Sequence, residues 1–123
     1  LKNDIVDVFT SCMTGNLNDL NLLWSNKKSI CVVLCSNGYP KKYEKNVEIK
    51  NFDKLNLNKN NFLFHAGTFK NQNKILANGG RVLNFVSLSD SFAKARNDIH
   101  QNLNKLKWDK GFYRRDIAFK VIS

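Results

Sequence analysis

The sequence contains little arginine, glutamate and proline, and it has no long apolar run. Of its 123 residues four are Arg, two are Glu and one is Pro, whereas 16 are Lys. The longest apolar run, residues 30–35, is far shorter than the roughly 20 residues that cross a bilayer. No phosphate-binding P-loop, glutamate pair for magnesium or nucleophile with a partner base is visible. The sequence therefore shows neither a membrane-spanning helix nor a complete active site, and its length with 42% hydrophobic residues predicts one globular domain.

Cysteine and histidine are also scarce. The three cysteines, Cys12, Cys31 and Cys35, are odd in number and lack a secretory context, which favours free thiols in a reducing, cytoplasmic compartment. Cys31 and Cys35 lie in an apolar run, so we expect both on one side of a buried strand, where thiols pack as small hydrophobes. His65 and His100 have no paired ligand spacing, and we expect no metal site. Because the chain starts without Met on a helical pattern, we expect it to be a fragment of a longer protein.

The large positive charge has two explanations. The formal net charge is +10, and Lys is accompanied by abundant Asn, as A/T-rich codons produce. Such codon drift places Lys at tolerant surface positions and retains Arg where the planar guanidinium fork is required. On this interpretation the arginines, rather than the lysines, mark positions with a specific structural or binding role. The four arginines are Arg81, Arg96, Arg114 and Arg115.

The alternative explanation is a polyanion partner. A small basic nucleic-acid-binding module would use the lysines for phosphates and aromatic side chains for stacking on bases. Steep salt-dependent binding to a random oligonucleotide would identify such a module. The lysines are spread along the whole chain rather than clustered, which disfavours it. The candidate stacking residues of such a nucleic-acid-binding module are Tyr39, Tyr43, Phe112 and Tyr113.

Hydrophobic periodicity predicts an α+β fold with a mainly antiparallel sheet, an N-terminal helix and one long helix near the C-terminus. The first helix, residues 4–14, is capped by Asn3 and ended by Gly15, and a second helix is capped by Ser89. That second helix turns one apolar face to the sheet, with Phe92, Ala95, Ile99, Leu103 and Leu106. We predict strands at residues 18–24, 29–36, 47–50, 62–65, 74–77 and 81–88, with hairpins joining the first pair and the last pair, and a final strand after residues 111–117.

Three loops combine glycine with polar or basic residues at strand ends. Glycines let backbone N–H groups approach a ligand, and successive N–H groups form an anion-binding concavity. An adjacent arginine adds a fork that fits phosphate oxygens. The loops are Ser36-Asn37-Gly38-Tyr39-Pro40, His65-Ala66-Gly67-Thr68 and Asn78-Gly79-Gly80-Arg81.

The same residues have ordinary structural interpretations, which the sequence leaves open. Glycine at a strand end is common turn chemistry, and a lone histidine such as His65 is often a structural residue. Arg114, Arg115 and Asp116 form either an internal ion pair or part of a phosphate site. A purely structural lid without ligand contacts is a third possible role for the whole chain.

In their order along the chain, the loops and their flanking strands closely resemble the C-terminal domain of the phosphoribosylamine–glycine ligase family, in the ATP-grasp superfamily. The resemblance runs from about residue 1 to about residue 120. It includes the helix before the first predicted hairpin and the long helix after the third loop. The matching segments are residues 31–40, 43–45, 64–68, 78–83 and 112–117, the last reading Phe112-Tyr113-Arg114-Arg115-Asp116-Ile117.

The resemblance implies an ATP-dependent carbon–nitrogen ligase of purine biosynthesis. Its substrates would be ATP, glycine and 5-phosphoribosylamine, joined through glycyl phosphate to give glycinamide ribonucleotide, ADP and phosphate. ATP and Mg²⁺ or Mn²⁺ would be bound mainly by an upstream ATP-grasp core that this chain lacks. Residues 1–14 would form a junction helix, and residues 18–123 would form the body that packs on that core. Neither nucleic acid nor a membrane is an expected partner.

Loop chemistry, supported by the resemblance, assigns the candidate substrate site. We expect Gly79, Gly80 and Arg81 to contact the phosphate or ribose, and no catalytic residue or metal ligand in this fragment. The other candidate residues are His65, Gly67, Thr68, Gly38, Tyr39 and Pro40. Lys41-Lys42 departs from the family, which usually has two small residues there, and the two ammonium groups are candidate point charges near a phosphate.

Overall fold

Two antiparallel sheets and two α-helices make up the computed structural model, which describes residues 1–122. The larger sheet has the strand order β3-β6-β1-β7, and the smaller sheet has the order β2-β5-β4. This architecture confirms the predicted α+β class with mainly antiparallel strands. Within residues 1–122, neither helix has the length and apolar character needed to cross a bilayer. The elements are α1 Ile5–Thr14, β1 Lys28–Ser36, β2 Val47–Ile49, β3 Asn61–His65, β4 Thr68–Asn71, β5 Lys74–Ala77, β6 Arg81–Ser89, α2 Phe92–Leu103 and β7 Gly111–Phe112.

The core lies between α2 and one face of the larger sheet. Alternate residues of β1 point towards α2, because side chains along a strand alternate between the two faces. Phe85 on β6 is the largest fully buried side chain among the described residues, and Ile99 of α2 is fully buried as well. Ala95 and Leu103 are also buried and Phe92 packs against the core, which confirms the predicted apolar face of α2 as far as Leu103. The helix ends there, so the predicted Leu106, which also packs against the core, lies after it.

Strand β1 is covered on one face only, which corrects the predicted fully buried strand. Ile30, Val32 and Leu34 are buried beneath α2. Cys31 is exposed and Cys35 is half-buried, because the opposite face of the sheet is only partly covered, by Tyr39, Tyr113 and Ile117, which line a cavity with both cysteines. The expectation that both thiols are buried in the core was therefore wrong. Their partial burial nevertheless raises the pKa of both thiols.

The predicted strand at residues 18–24 and its hairpin with β1 are also wrong. Residues Leu17–Asp19 form a single 3-10 turn, and the segment that follows pairs with the residues before α1. The Asn3 side chain donates to the Asn21 carbonyl at 2.9 Å and accepts from the Leu23 N–H at 2.7 Å. These bonds occupy the backbone groups of the segment, so they are unavailable to β1.

Two helix caps lie one or two residues from their predicted positions. Asp4, rather than Asn3, accepts from the Val6 N–H at 2.8 Å and caps α1. Ser91, rather than Ser89, accepts from the Lys94 N–H at 3.2 Å and caps α2. Ser89 is unavailable because it is still paired in β6. The predicted end of α1 at Gly15, in the left-handed backbone region, is confirmed.

The predicted hairpin of residues 74–88 is wrong, although both of its strands exist. β5 pairs with β2 and β4, whereas β6 pairs with β3 and β1. The hairpin in this region joins β4 to β5, and sequence reasoning did not predict β4. Residues 78–80 therefore connect two different sheets and bring their ends together.

The C-terminal segment is held by Arg96 more than by strand pairing. The strand predicted after residues 111–117 is wrong: β7 covers only the first two residues of that segment, and a 3-10 turn, Phe119–Val121, follows it. The Arg96 Nε donates to the Ile117 carbonyl at 3.1 Å, and a second guanidinium nitrogen donates to the Arg115 carbonyl. A planar fork can bond two carbonyls at once, which is the kind of position where lysine cannot replace arginine.

We predict that His100 makes folding stability depend on pH. Desolvation, with smaller contributions from the nearby Arg96 and Arg115 charges, lowers the pKa of His100 below the ordinary histidine value. Over the window below that ordinary value, the unfolded chain binds the proton first, so stability falls as the pH falls. Urea unfolding from pH 7.5 to about pH 5 should show a shallower loss for His100→Gln than for the wild-type chain. Parallel losses in the two proteins would contradict the assignment.

Candidate functional site

The three loops predicted as a candidate site meet at one edge of the fold. The Gly67 carbonyl accepts hydrogen bonds from the Asn78 N–H at 2.8 Å and the Gly79 N–H at 3.1 Å. The N–H groups of Ala66 and Gly67 in turn donate to the Val82 carbonyl at 3.0 and 3.2 Å. Backbone bonds thus join the second loop to the third.

Ser36 joins the first loop to the same edge. Its N–H donates to the Gly80 carbonyl at 2.8 Å, and its hydroxyl donates to the Gly79 carbonyl at 2.7 Å. The Ser36 side chain is buried. Sequence reasoning treated Ser36 only as the start of a loop, although a polar residue that ends an apolar strand was a usable signal. Ser36 fixes where the third loop lies relative to β1.

Tyr39 covers Gly80. A Cβ atom added at Gly80 would overlap the Tyr39 ring, so only glycine allows the ring to lie there. The Tyr39 and Tyr43 rings are tilted, with centroids 6.4 Å apart. Gly38 has a positive φ of 97°, and Pro40 is exposed at the outer end of the loop. The predicted residues of the first loop thus lie beside those of the third.

His65 and Thr68 contact each other at the end of β3. The His65 Nδ1 lies 3.0 Å from the Thr68 hydroxyl, and the His65 ring stacks on Phe52 with centroids 5.7 Å apart. Both contacts hold the exposed His65 ring in place. Phe52 was not predicted, and its signal was a lone aromatic residue within a polar segment.

Arg81 is exposed, and its guanidinium has no hydrogen-bond or ion-pair partner among residues 1–122. The other three arginines are engaged within the chain. Arg96 bonds two carbonyls, and Arg115 lies over the Tyr113 ring at 5.6 Å. Arg114 donates to both carboxylate oxygens of Asp116 at 3.0 and 2.6 Å, which confirms the ion-pair interpretation of this motif.

The Cys35 thiol and the exposed Lys41 and Lys42 make up the electrostatic surroundings of Arg81 considered for this edge. Arg81 on β6 lies opposite Cys35 on β1 in the antiparallel pairing of the two strands. Burial raises the pKa of the Cys35 thiol, and the Arg81 charge partly opposes that rise. Lys41 and Lys42 are exposed on the neighbouring loop, like every other lysine of the chain. The exposed lysines are spread along the chain, whereas Arg81 directly follows the third loop.

The loop backbone is less available to a ligand than the glycine pattern suggested. The N–H groups of Gly67 and Gly79 already donate to carbonyls within the chain. The glycines therefore act by letting the loops approach, and beside Lys41 and Lys42 the edge offers the Arg81 guanidinium, whose planar fork fits phosphate oxygens. Within residues 1–122, no three His, Cys, Asp or Glu side chains lie close enough together to hold a metal ion.

By its fold and this edge, the chain is an antiparallel α+β domain in which three glycine loops meet beside Arg81, whose guanidinium has no partner within residues 1–122. Its residues 29–120 match the family model described as phosphoribosylglycinamide synthetase, C domain. The chain belongs to that family, and the resemblance predicted from its motifs is confirmed.

Relatives of known name span the whole chain. A phosphoribosylamine–glycine ligase of Caldanaerobacter subterraneus is 37% identical over 96% of this chain and 28% of its own length. A bifunctional purine biosynthetic protein of Dictyostelium discoideum is 34% identical over 100% of this chain and 15% of its own length. The chain therefore spans less than a third of the relatives that it matches. The comparisons give the nucleic-acid-binding alternative no support.

A solved structure has the same fold. The crystal structure of a phosphoribosylamine–glycine ligase from Thermotoga maritima aligns with a TM-score of 0.67 and 28% identity. The alignment covers 89% of this chain and 27% of that one. The α+β architecture is thus shared with part of a much longer ligase.

Proposed function

We propose that this chain is the C-terminal part of a phosphoribosylamine–glycine ligase. The whole enzyme joins glycine to 5-phosphoribosylamine with ATP and releases glycinamide ribonucleotide, ADP and phosphate, in the cytoplasm. The proposal is supported by the family match over residues 29–120 and by relatives of that name along the whole chain. In this proposal residues 1–14, which contain α1, form the junction helix, and residues 18–123 form the body that packs on the ATP-grasp core.

Within that enzyme, we propose that the three-loop edge binds the sugar phosphate. The observation that carries this assignment is the guanidinium of Arg81, which is exposed beside the three loops without a partner in the described chain. A guanidinium can donate two parallel hydrogen bonds to phosphate oxygens. Gly79 and Gly80 position that group, and His65, Gly67, Thr68, Gly38, Tyr39 and Pro40 form the surrounding edge. The phosphate would thereby fix the position of the substrate amine for attack on the activated glycine.

ATP with Mg²⁺ or Mn²⁺ belongs to the whole enzyme in this proposal. The carboxylates of the described chain do not converge on one point, so they do not fit such an ion. The chain's own contribution is to bind and orient the sugar phosphate.

The test is an assay of ADP release by the full-length enzyme that carries this chain. We expect release to require both glycine and phosphoribosylamine, and we expect the 123-residue chain alone to release none. ATP turnover by the isolated chain would contradict the proposal, because the described chain has no carboxylate cluster for the metal. A full-length enzyme that is indifferent to phosphoribosylamine would contradict it as well.

A further inference from the structure

Strand β6 contains a β-bulge directly after the third loop, and the bulge changes the side of the sheet on which Arg81 lies. Leu83 lies opposite Leu34 in the pairing of β6 with β1. One residue further along β1, Cys35 lies opposite Arg81, so Val82 is an extra residue in β6. An extra residue of this kind disrupts the pairing locally and redirects the neighbouring side chain. The bulge therefore sets the direction of Arg81.

Without the bulge, Arg81 would belong to the α2 side of the sheet. Side chains alternate along a strand, and Leu83, the next residue but one, is fully buried on that side. In a regular continuation of the pairing, Arg81 would lie opposite Ser36, which is also buried, and directly opposed residues share a face. A guanidinium directed at the core would be desolvated and unable to meet a phosphate. In the bulged strand Arg81 lies opposite Cys35 and is exposed.

Hydrogen bonds hold the bulge from both neighbouring strands. On the β1 side, the Ser36 N–H donates to the Gly80 carbonyl at 2.8 Å, and the Ser36 hydroxyl donates to the Gly79 carbonyl at 2.7 Å. On the β3 side, the Val82 carbonyl accepts from two N–H groups of the second loop at 3.0 and 3.2 Å. Three of these four donors are backbone N–H groups, so the Ser36 hydroxyl is the one that a substitution can remove.

We propose that Ser36 is a positioning residue for the sugar phosphate, because its hydroxyl holds the bulge that directs the Arg81 guanidinium away from the core. Ser36 is only 2% exposed, so it acts through Arg81 rather than by touching the substrate. The inference rests on the proposed function, since it requires Arg81 to bind the sugar phosphate. Ser87 is a matched control, because it is fully buried on the same side of the sheet and its hydroxyl has no hydrogen-bond partner within residues 1–122.

The kinetic test is a double-mutant cycle in the full-length ligase. Ser36→Ala should raise the KM for phosphoribosylamine about three- to tenfold, the size expected for the loss of one neutral hydrogen bond. The kcat and the KM values for ATP and glycine should stay within about twofold of wild type, and Ser87→Ala should leave all four constants within that range. In an enzyme that already carries Arg81→Ala, Ser36→Ala should change the KM for phosphoribosylamine less than about twofold, because a residue that acts through Arg81 has no effect once the guanidinium is gone.

Three kinetic results would overturn the proposal. The first is an unchanged KM for phosphoribosylamine in Ser36→Ala. The second is an equal effect of Ser36→Ala with and without Arg81, which would show that Ser36 does not act through the guanidinium. The third is an equal rise in all three KM values, which would show a general loss of structure.

A second reading reports the position of residue 81 and needs no turnover. Because Arg81 lies opposite Cys35, the thiol introduced by Arg81→Cys should form a disulfide with the native Cys35 in a glutathione redox buffer, measured by peptide mass spectrometry. Adding Ser36→Ala should lower the equilibrium constant for this disulfide at least about fivefold, whereas adding Ser87→Ala should leave it within about twofold. An absent disulfide, or one that is insensitive to Ser36→Ala, would overturn the proposal.

The two readings separate the positioning role from the proposed reaction. A full-length protein without phosphoribosylamine-dependent ADP release, but with a disulfide that depends on the Ser36 hydroxyl, would refute the function and leave the placement of residue 81 by Ser36. A phosphoribosylamine-dependent ligase in which neither the KM nor the disulfide responds to Ser36→Ala would refute the positioning role and leave the function.

Discussion

Arg81→Ala in the full-length ligase is expected to raise the KM for phosphoribosylamine about ten- to hundredfold, with the KM values for ATP and glycine changed much less. The guanidinium has no hydrogen-bond or ion-pair partner within residues 1–122, so on the proposed assignment its removal costs the phosphate contact and no bond within the described chain. A charged hydrogen bond contributes about 1.5–3 kcal/mol, which corresponds to that range of affinity. Initial-rate kinetics with each substrate varied in turn would measure the effect.

Two further variants serve as controls for the Arg81→Ala result. Arg114→Ala removes another exposed arginine, but one that is paired with Asp116, and it should leave all three KM values within about twofold of wild type. Arg81→Lys keeps the charge and loses the fork, so its KM for phosphoribosylamine should lie between those of wild type and Arg81→Ala. If Arg81→Ala leaves that KM unchanged, Arg81 does not bind the sugar phosphate.

The second large effect is expected from Gly67→Ala, which should destabilise the fold by about 1–3 kcal/mol or more. A Cβ atom at Gly67 would lie 2.8 Å from the Gly79 Cα, and it would also press on the Arg81 carbonyl. These neighbours are backbone atoms that cannot rotate away, so the second and third loops would have to separate. Urea unfolding of the chain, followed by tryptophan fluorescence, would measure the loss.

Gly15→Ala is the matched control for this substitution. Gly15 has a φ of 74°, and no atom lies within 4 Å of the position that its Cβ would take. Its replacement costs only the left-handed backbone conformation, about 1 kcal/mol. An effect of Gly67→Ala no larger than that of Gly15→Ala would mean that the loops accommodate the methyl group.

Local sequence patterns predicted most of the elements and the three loops. The periodicity of α2 identified its buried face, and the order of the glycine loops identified the family. The predictions failed where a local pattern depends on a distant partner. Residues 18–24 carry a strand pattern, but the side chain of Asn3 bonds their backbone. Residues 78–80 carry a hairpin signal, but their backbone bonds to Gly67 and Ser36 instead.

The candidate site was predictable in its members and only partly in its chemistry. The sequence indicated that Arg81 is informative because little arginine is present, and the structure shows it without an internal partner. The sequence could not show that the Gly67 and Gly79 N–H groups are already bonded, since that depends on how the loops meet. It also could not show that Cys31 is exposed, because burial of the second face of a sheet depends on what packs against it.

Because the guanidinium of Arg81 has no partner within the described residues, its counter-ions come from the solution. No carboxylate of the described chain neutralises its guanidinium, so mobile anions of the buffer form its counter-ion atmosphere. At the proposed site, an arriving sugar phosphate would displace those anions without breaking an ion pair within the described residues. Added salt screens an exposed charge, with a Debye length of about 8 Å at physiological ionic strength. The affinity of the proposed site for the sugar phosphate should therefore fall steadily as the chloride concentration is raised.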